Sequence, residues 1–180
     1  MNVLPCVVVC VWLALVFADG GDEKRAVKAT SALVDTLRAL RTCIALRGRF
    51  NDTYALCRLH VLAHSLGNRV TVRALVSHMK EALQPGVKDA AKTRQPLVST
   101  YAMASADISV VDVTAFLPLL TRSVQAITTY FSGYDMALKA STTMHSSKEK
   151  YRVGQVCAGI ASRFAAPNGA SGRWLCAPWG

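Results

Sequence analysis

The sequence predicts an α/β domain with a mainly parallel sheet and flanking helices. Segments with apolar residues at helical spacing alternate with short runs rich in β-branched and aromatic residues along the 180-residue chain. Parallel strands need crossover connections, which are usually helices, so this alternation is typical of a parallel sheet. Apolar residues make up 52% of the chain, which is enough for the core of one domain.

The first half of the chain supplies a helix, a strand and a second helix. Apolar side chains recur at helical spacing between Asp22 and Arg47, which predicts the first helix. The run Leu59–Ala63 is short and mostly apolar, and its periodicity alone fits a helix or a strand. A turn at 65–67 follows, and a second helix begins at Asn68 and stops before Pro85. We therefore interpret Leu59–Ala63 as a strand.

The second half continues the alternation. Leu97–Ala102 and Ala126–Phe131 have the β-branched and aromatic content of strands. Between them, Ser109 and Asp112 have the spacing of a helix N-terminal capping box, and an apolar stripe follows. Two further helices are predicted at Met136–Met144 and Glu149–Phe164.

An all-α bundle is the competing fold. One apolar stripe runs without interruption through the helix after Ser109 and through the predicted strand behind it, and its members are Val113, Leu117, Leu120, Val124, Ile127 and Phe131. A continuous stripe of this kind is typical of a long helix packed in a bundle. Periodicity alone leaves both folds open.

The first 18 residues have two interpretations. Val7–Phe17 is an apolar run with the length of a signal-peptide core, and Val16-Phe17-Ala18 offers a cleavage position. No Lys or Arg precedes the run, and it also suits a buried parallel strand. Export is the simpler expectation, so we predict a secreted or extracytoplasmic protein. The chain then divides into this leader at 1–18, an α/β domain at 19–165 and a C-terminal tail at 166–180.

The net charge and the distribution of basic residues indicate which classes of partner to expect. The net charge of +10 favours an anionic surface, but the basic residues are scattered and do not interleave with aromatic residues. We therefore expect no nucleic-acid partner. Cys57, His60 and His64 would share a face only on a helix and lack the glutamate of a metalloprotease helix, so we expect no metal and no cofactor.

Four cysteines follow the leader, namely Cys43, Cys57, Cys157 and Cys176. In an oxidising compartment the nearest-neighbour pairs, Cys43 with Cys57 and Cys157 with Cys176, would close short loops. Four unpaired thiols are the other interpretation.

The motif that indicates chemistry is Ala63-His64-Ser65-Leu66-Gly67. A serine on a strained turn between a strand and a helix exposes its hydroxyl, and small residues two positions before and after it let the strand and helix approach closely. The amide of Leu66, at the start of the helix, would donate to an oxyanion. The spacing therefore predicts a nucleophile elbow with Ser65 as nucleophile.

Longer stretches around this motif show a resemblance to a known family. The stretches are 59–70 with 73–75, 22–40, 104–108 with 116–120, and 129–141. Together they resemble, over about residues 22 to 155, a family of α/β-hydrolase-fold proteins described as alpha/beta hydrolases of unknown function. Four collinear matches are far more specific than one short motif.

The resemblance implies an esterase-like or lipase-like serine hydrolase. Ser65 is the implied nucleophile and Asp135 the acid that orients a histidine, in the chain order Ser, Asp, His. The implied substrate is a small-molecule or lipid ester, or a related acyl compound. Asp135 also follows the best predicted strand, where active-site loops of an open α/β sheet gather, although a capping role for the next helix is the other interpretation of this residue.

The sequence departs from the family pattern at two points. The family's histidine lies in a loop well after the acid, whereas the last histidine here is His145, which we take as the candidate base. The family also has strands and an oxyanion loop before the first matched helix, where only the leader precedes Asp22. We therefore expect a partial α/β-hydrolase fold. The protein is expected to be either active through Ser65 or inactive because it lacks the catalytic base. The alternative function is a secreted, disulfide-stapled helical protein that binds an acidic partner.

Overall fold

The computed structural model describes residues 6–13, 21–50, 58–85, 96–144, 151–156 and 173–178. Within these ranges strands and helices alternate along the chain. The strands are β1 (Cys6–Leu13), β2 (Arg58–Ser65), β3 (Val98–Ala104), β4 (Val124–Phe131) and β5 (Arg173–Pro178). The helices are α1 (Gly21–Phe50), α2 (Gly67–Ala82), α3 (Val110–Ser123) and α4 (Met136–Met144).

The five strands form one sheet in the order β1-β2-β3-β4-β5. Every neighbouring pair is parallel, so the predicted α/β class is confirmed and the all-α bundle is wrong. The apolar stripe breaks at Val124, which is extended (φ −133°, ψ 135°) and ends α3. Ile127 and Phe131 do not continue that helix but lie on β4, where Ile127 pairs with Tyr101 of β3 and Phe131 with Pro178 of β5. Strand pairing on both sides of β4 overrides the local helical periodicity.

One face of the sheet holds the core. Along β2, Leu59, Val61 and Ala63 are buried, whereas Leu62 and His64 are exposed. Side chains of a strand alternate between the two faces, so the buried set lies on one side, where α1, α2 and α3 pack in a row. The carboxyl ends of the parallel strands meet at one edge of the sheet, and the loops after β2, β3 and β4 therefore lie side by side.

Both ends of the chain contribute strands. Cys6–Leu13, within the segment with two interpretations, forms β1 and pairs with β2 from Arg58 to Ser65. This arrangement corresponds to the leading-strand interpretation. Arg173–Pro178, within the predicted C-terminal tail, forms β5 and pairs with β4. None of the helices in the described ranges has the length and apolar character needed to span a bilayer.

Two local predictions are corrected. Residues 151–156 form turns where the helix Glu149–Phe164 was expected, and the rest of that segment from 157 lies outside the described residues. Val153 and Gly154 instead donate backbone hydrogen bonds to the loop after β3, which the backbone of a helix interior could not do. Cys43 is an exposed free thiol and so is not paired with Cys57, whereas Cys176 is in a disulfide.

Candidate active site

Ser65 lies at a strand–turn–helix junction, as the elbow motif predicts. It ends β2, Leu66 is the N-cap residue of α2, and the backbone of Ser65 has a left-handed φ of 51°. Residues other than glycine rarely adopt this conformation, and such strain is concentrated at functional sites. The N–H groups at the start of a helix lack intrahelical acceptors, so this end of α2 can donate to a developing oxyanion.

A second left-handed serine comes directly after the neighbouring strand. Ser105 follows β3, has φ 40° and is 6% exposed. Ser65 and Ser105 line the same cavity, whose volume is about 480 Å³. His64 also lines this cavity. The other lining residues belong to the segment after β4, namely Ser132, Tyr134, Asp135, Ala137 and Leu138. The carboxyl ends of β2, β3 and β4 thus build one site.

Asn68 locks the elbow onto the end of β3. Its side chain is 0% exposed, and Nδ2 donates to the carbonyls of Ser65 and Ala104, both at 3.1 Å. The buried hydroxyl of Tyr101 donates to Asn68 Oδ1 at 2.9 Å. Burial raises the pKa of Tyr101, so the phenol stays protonated and remains a donor. Sequence reasoning missed Asn68, although its place on the first turn after the nucleophile was a clue.

Asp135 lies on the cavity and also caps a helix. It lines the cavity with Ser65, and its Oδ1 accepts a hydrogen bond from the Leu138 amide at 3.1 Å, which caps the first turn of α4. A carboxylate at a helix N-terminus is stabilised by the helix dipole. The cap also fixes the orientation of the side chain, because one of its two oxygens is tied to the helix.

A buried ion pair lies next to the nucleophile and was not predicted. Arg152 Nε lies 3.2 Å from Asp107 Oδ1, and the two side chains are 0% and 1% exposed. Ser141 on α4 donates to the same oxygen at 2.9 Å. The amide of Asp107 donates to the carbonyl of Ser65 at 3.2 Å. No local pattern in the sequence points to this group, because its members come from three separate segments.

The 151–155 segment joins the loops after β3 and β4. Val153 and Gly154 donate backbone hydrogen bonds to Ile108 and Ala106, both at 3.0 Å. The carbonyl of Gly154 accepts from the Ser132 amide, also at 3.0 Å. The two loops that face Ser65 are therefore held together by main-chain bonds.

The remaining residues that the sequence singled out for the site are histidines. His145 lies outside the described residues and follows directly after α4. His60 and His64 lie on β2, so the shared helix face considered for a metal does not exist. In the described ranges, no group of three or more His, Cys, Asp and Glu residues is placed to hold a metal ion.

Comparison with known proteins identifies a family. No curated protein and no solved structure matches the chain. A family model described as alpha/beta hydrolase of unknown function (DUF900) matches residues 14–165, which include β2, α2, β3, α3, β4 and α4. The match covers most of the chain, and this protein therefore belongs to that family of alpha/beta hydrolases of unknown function.

Proposed function

We propose that this protein is a serine hydrolase that uses Ser65 to cleave an ester or related acyl bond. The observation that supports this most directly is the left-handed Ser65 between β2 and α2, on a cavity that Asp135 also lines. A serine on such a turn presents its hydroxyl above the sheet, where substrate can approach. Membership of an α/β-hydrolase family is in keeping with this chemistry.

The reaction proceeds by acyl transfer in two halves. Ser65 Oγ attacks the carbonyl carbon while a base takes its proton, and the bond to the leaving alcohol breaks as the base returns that proton to it. Water then attacks the acyl-enzyme in the same way and releases the acid. The Leu66 amide donates to the oxyanion in both halves, and one such donor contributes about 3 kcal/mol to transition-state stabilisation.

His145, the first residue after α4, is the candidate base in this proposal. Four residues before His145, Ser141 bonds to Asp107, whose amide bonds to the carbonyl of Ser65. Helix α4 therefore passes close to the nucleophile before the chain reaches His145. His64 also lines the cavity, which makes it the histidine to compare with His145 by substitution.

The cavity suits an ester with an apolar acyl part. Its volume of about 480 Å³ lies within the range of small-molecule sites. Tyr134 lines it and is 84% exposed, and Met136, two residues further on, is 72% exposed. Exposed large apolar side chains beside a polar centre favour a lipid or other apolar ester. The net charge of +10 favours an anionic lipid surface as its source.

An extracytoplasmic location is also part of the proposal, and it carries a structural condition. Residues 6–13 pair with the nucleophile strand, so an exported chain must keep them for β2 to retain this neighbour. Export meets that condition only when residues 6–13 stay in the mature chain, which rules out cleavage after Ala18.

Labelling with a fluorophosphonate probe tests the proposal. Such probes phosphonylate an activated serine with loss of fluoride, and the adduct appears in the intact mass. We expect one adduct on the wild type and none on Ser65→Ala. Ser105→Ala is the matched control, because Ser105 is also left-handed and lines the same cavity, and it should still label. Absence of labelling on folded wild-type protein would contradict the proposal and leave an inactive member of the family.

The candidate base is tested in the same assay. His145→Ala should reduce labelling by about a thousandfold or more, which is the scale expected for loss of a triad member. His64→Ala should leave labelling within a few-fold of the wild type. The reverse result would transfer the role of base to His64.

A further inference from the structure

Asp107 takes no part in the proposed acyl transfer, yet its backbone and its buried carboxylate contact three segments around the site. Its amide bonds to the carbonyl of Ser65, and its Oδ1 accepts from Ser141 on α4. The same oxygen lies 3.2 Å from Arg152 Nε, in the 151–155 segment. One residue thus links the nucleophile, the helix that begins after Asp135, and the segment bonded to Ser132.

Stability alone is a poor explanation for this ion pair. Removing two charges from water costs several kcal/mol each, and buried pairs often contribute no more than apolar residues of the same volume. A buried pair does favour one geometry, because separating the two charges would leave each of them buried away from its partner. The contacts of Asp107 therefore point to control of distances within the site.

The distance in question is that between Ser65 and Asp135. Asp135 is tied to the first turn of α4 through the Leu138 amide, so it moves with that helix. Ser141, further along α4, is 4% exposed and bonded to Asp107. Asp107 in turn is bonded to the backbone of Ser65. A continuous chain of hydrogen bonds therefore runs from the nucleophile to the helix that orients the acid.

We propose that Asp107 is a positioning residue of the acyl-transfer site, acting through Ser141 and Arg152. Through Ser141 it sets the placement of α4, and so of Asp135, against Ser65. Through Arg152 it holds the 151–155 segment, whose Gly154 carbonyl accepts from the Ser132 amide. This inference rests on the proposed function, because the geometry it controls is that of the proposed nucleophile and acid.

Four variants test this role. Ser141→Ala removes the bond to α4 and leaves the ion pair intact, whereas Ser141→Thr keeps a hydroxyl at the same position. Asp107→Asn removes the charge with little change of shape. The double variant Asp107→Asn with Arg152→Met avoids leaving a buried arginine without its carboxylate, which by itself could prevent folding. Arg38→Gln is the control, because it removes an exposed ion pair between α1 and Glu81 at the C-terminal end of α2, the end opposite the elbow.

The measurement is the fluorophosphonate reaction of the full chain, resolved into its limiting rate and its half-saturating concentration. Circular dichroism first establishes that each variant is folded at the assay temperature. We expect S141A, D107N and the double variant to lower the limiting rate by about tenfold or more, with half-saturation within about twofold, as misplacement of reacting groups does. S141T should recover most of the rate, and R38Q should match the wild type.

The outcomes separate the two proposals. Wild-type protein that does not label contradicts the proposed function, and with it this role for Asp107. Wild-type protein that labels, with folded S141A and D107N reacting at the same limiting rate, contradicts the positioning role alone. A loss of labelling that only follows the unfolded fraction also contradicts it, because a purely structural contact would act in that way.

Discussion

Gly154 lies against the backbone of Ser105, at the end of the strand beside the nucleophile strand. A Cβ atom on Gly154 would come within 2.6 Å of the Ser105 carbonyl carbon and 2.7 Å of Leu138 Cδ1, and closer still to the Ala106 amide nitrogen. Cβ atoms do not pack this tightly, so any residue other than glycine would force these groups apart. The 151–155 segment can therefore bond to both loops only because residue 154 has no side chain.

Gly154→Ala should destabilise the protein and disturb the site. Overpacking in a closed region costs about 1–3 kcal/mol, which for a domain of this size lowers the unfolding midpoint by about 2–4 °C per kcal/mol. Gly133→Ala is the matched control, because nothing lies within 4 Å of a Cβ atom there. Thermal unfolding of the two variants measures the difference. Equal midpoints would show that the 151–155 segment is not packed as described.

Asn68→Ala should be one of the most destabilising single changes near the site. It removes both side-chain bonds to strand-end carbonyls and the acceptor of the Tyr101 hydroxyl. Each buried polar group left without a partner costs about 1–3 kcal/mol. Tyr101→Phe removes only the hydroxyl, which bonds to Asn68 Oδ1 at 2.9 Å and more weakly to the Asn68 carbonyl at 3.5 Å, and should cost about 1 kcal/mol. Urea unfolding of both single variants and the double variant gives the coupling energy, and a coupling near zero would contradict the bond between Asn68 and Tyr101.

The parts of the fold that the sequence predicts are those with local determinants. The Ser109 cap is visible from spacing alone, and in the structure its hydroxyl accepts from the Asp112 amide at 2.9 Å. The elbow likewise lies within five consecutive residues, and α4 has the predicted bounds. In these cases the element is defined by hydrogen bonds or apolar contacts between residues that are close in the chain. The spacing of those residues in the sequence therefore predicts the element.

The parts that were missed depend on distant segments. β5 is short and ends at Pro178, and only its pairing with β4 identifies it as a strand. The contact of Asp107 with Ser141 and Arg152 joins three segments that share no periodicity. The apolar stripe that suggested a bundle was real, but strand pairing at Val124 decided its conformation. Pairing between distant segments produces no regular spacing in a single sequence, so these features could not be predicted from it.

His78 should make stability depend on pH below neutrality. Burial, and after it the charge of Arg41, lowers the pKa of this histidine from 6.5 to about 4. Between these values the unfolded chain binds a proton that the folded chain does not, so stability rises with pH over this window and is lost as pH falls through it. The shift corresponds to about 3 kcal/mol, from which solvent screening of the ring subtracts. Urea unfolding between pH 4 and pH 7 should show a slope that His78→Gln reduces, and an unchanged slope would contradict this assignment.

Tyr134 and Met136 should set the preference for the acyl chain. If their exposed side chains receive an apolar acyl group, the wild type should hydrolyse long-chain aryl esters with a lower KM than short-chain esters. Tyr134→Ser with Met136→Ser should remove most of that difference and leave the short-chain kcat/KM within about twofold. Val27→Ser is the control, because Val27 is a similarly exposed apolar residue on α1. A chain-length preference that survives the double variant would place the acyl group elsewhere.

Removal of β1 should abolish the fold. β1 pairs with β2 along its whole length, up to Leu13 opposite Ser65, so deletion of residues 1–13 turns the nucleophile strand into an exposed edge. An unprotected edge strand is prone to pair with other chains, and we expect aggregation and loss of fluorophosphonate labelling. Deletion of residues 1–4 leaves β1 intact and is the control. The two chains are compared by size-exclusion chromatography and far-UV circular dichroism, and the mass of the natural mature protein shows whether residues 6–13 are retained. A folded, active chain that starts at residue 14 would show that β1 is dispensable, and the nucleophile elbow would then hold its shape through β3 and Asn68 alone. That result would favour the interpretation of residues 1–18 as a removable leader.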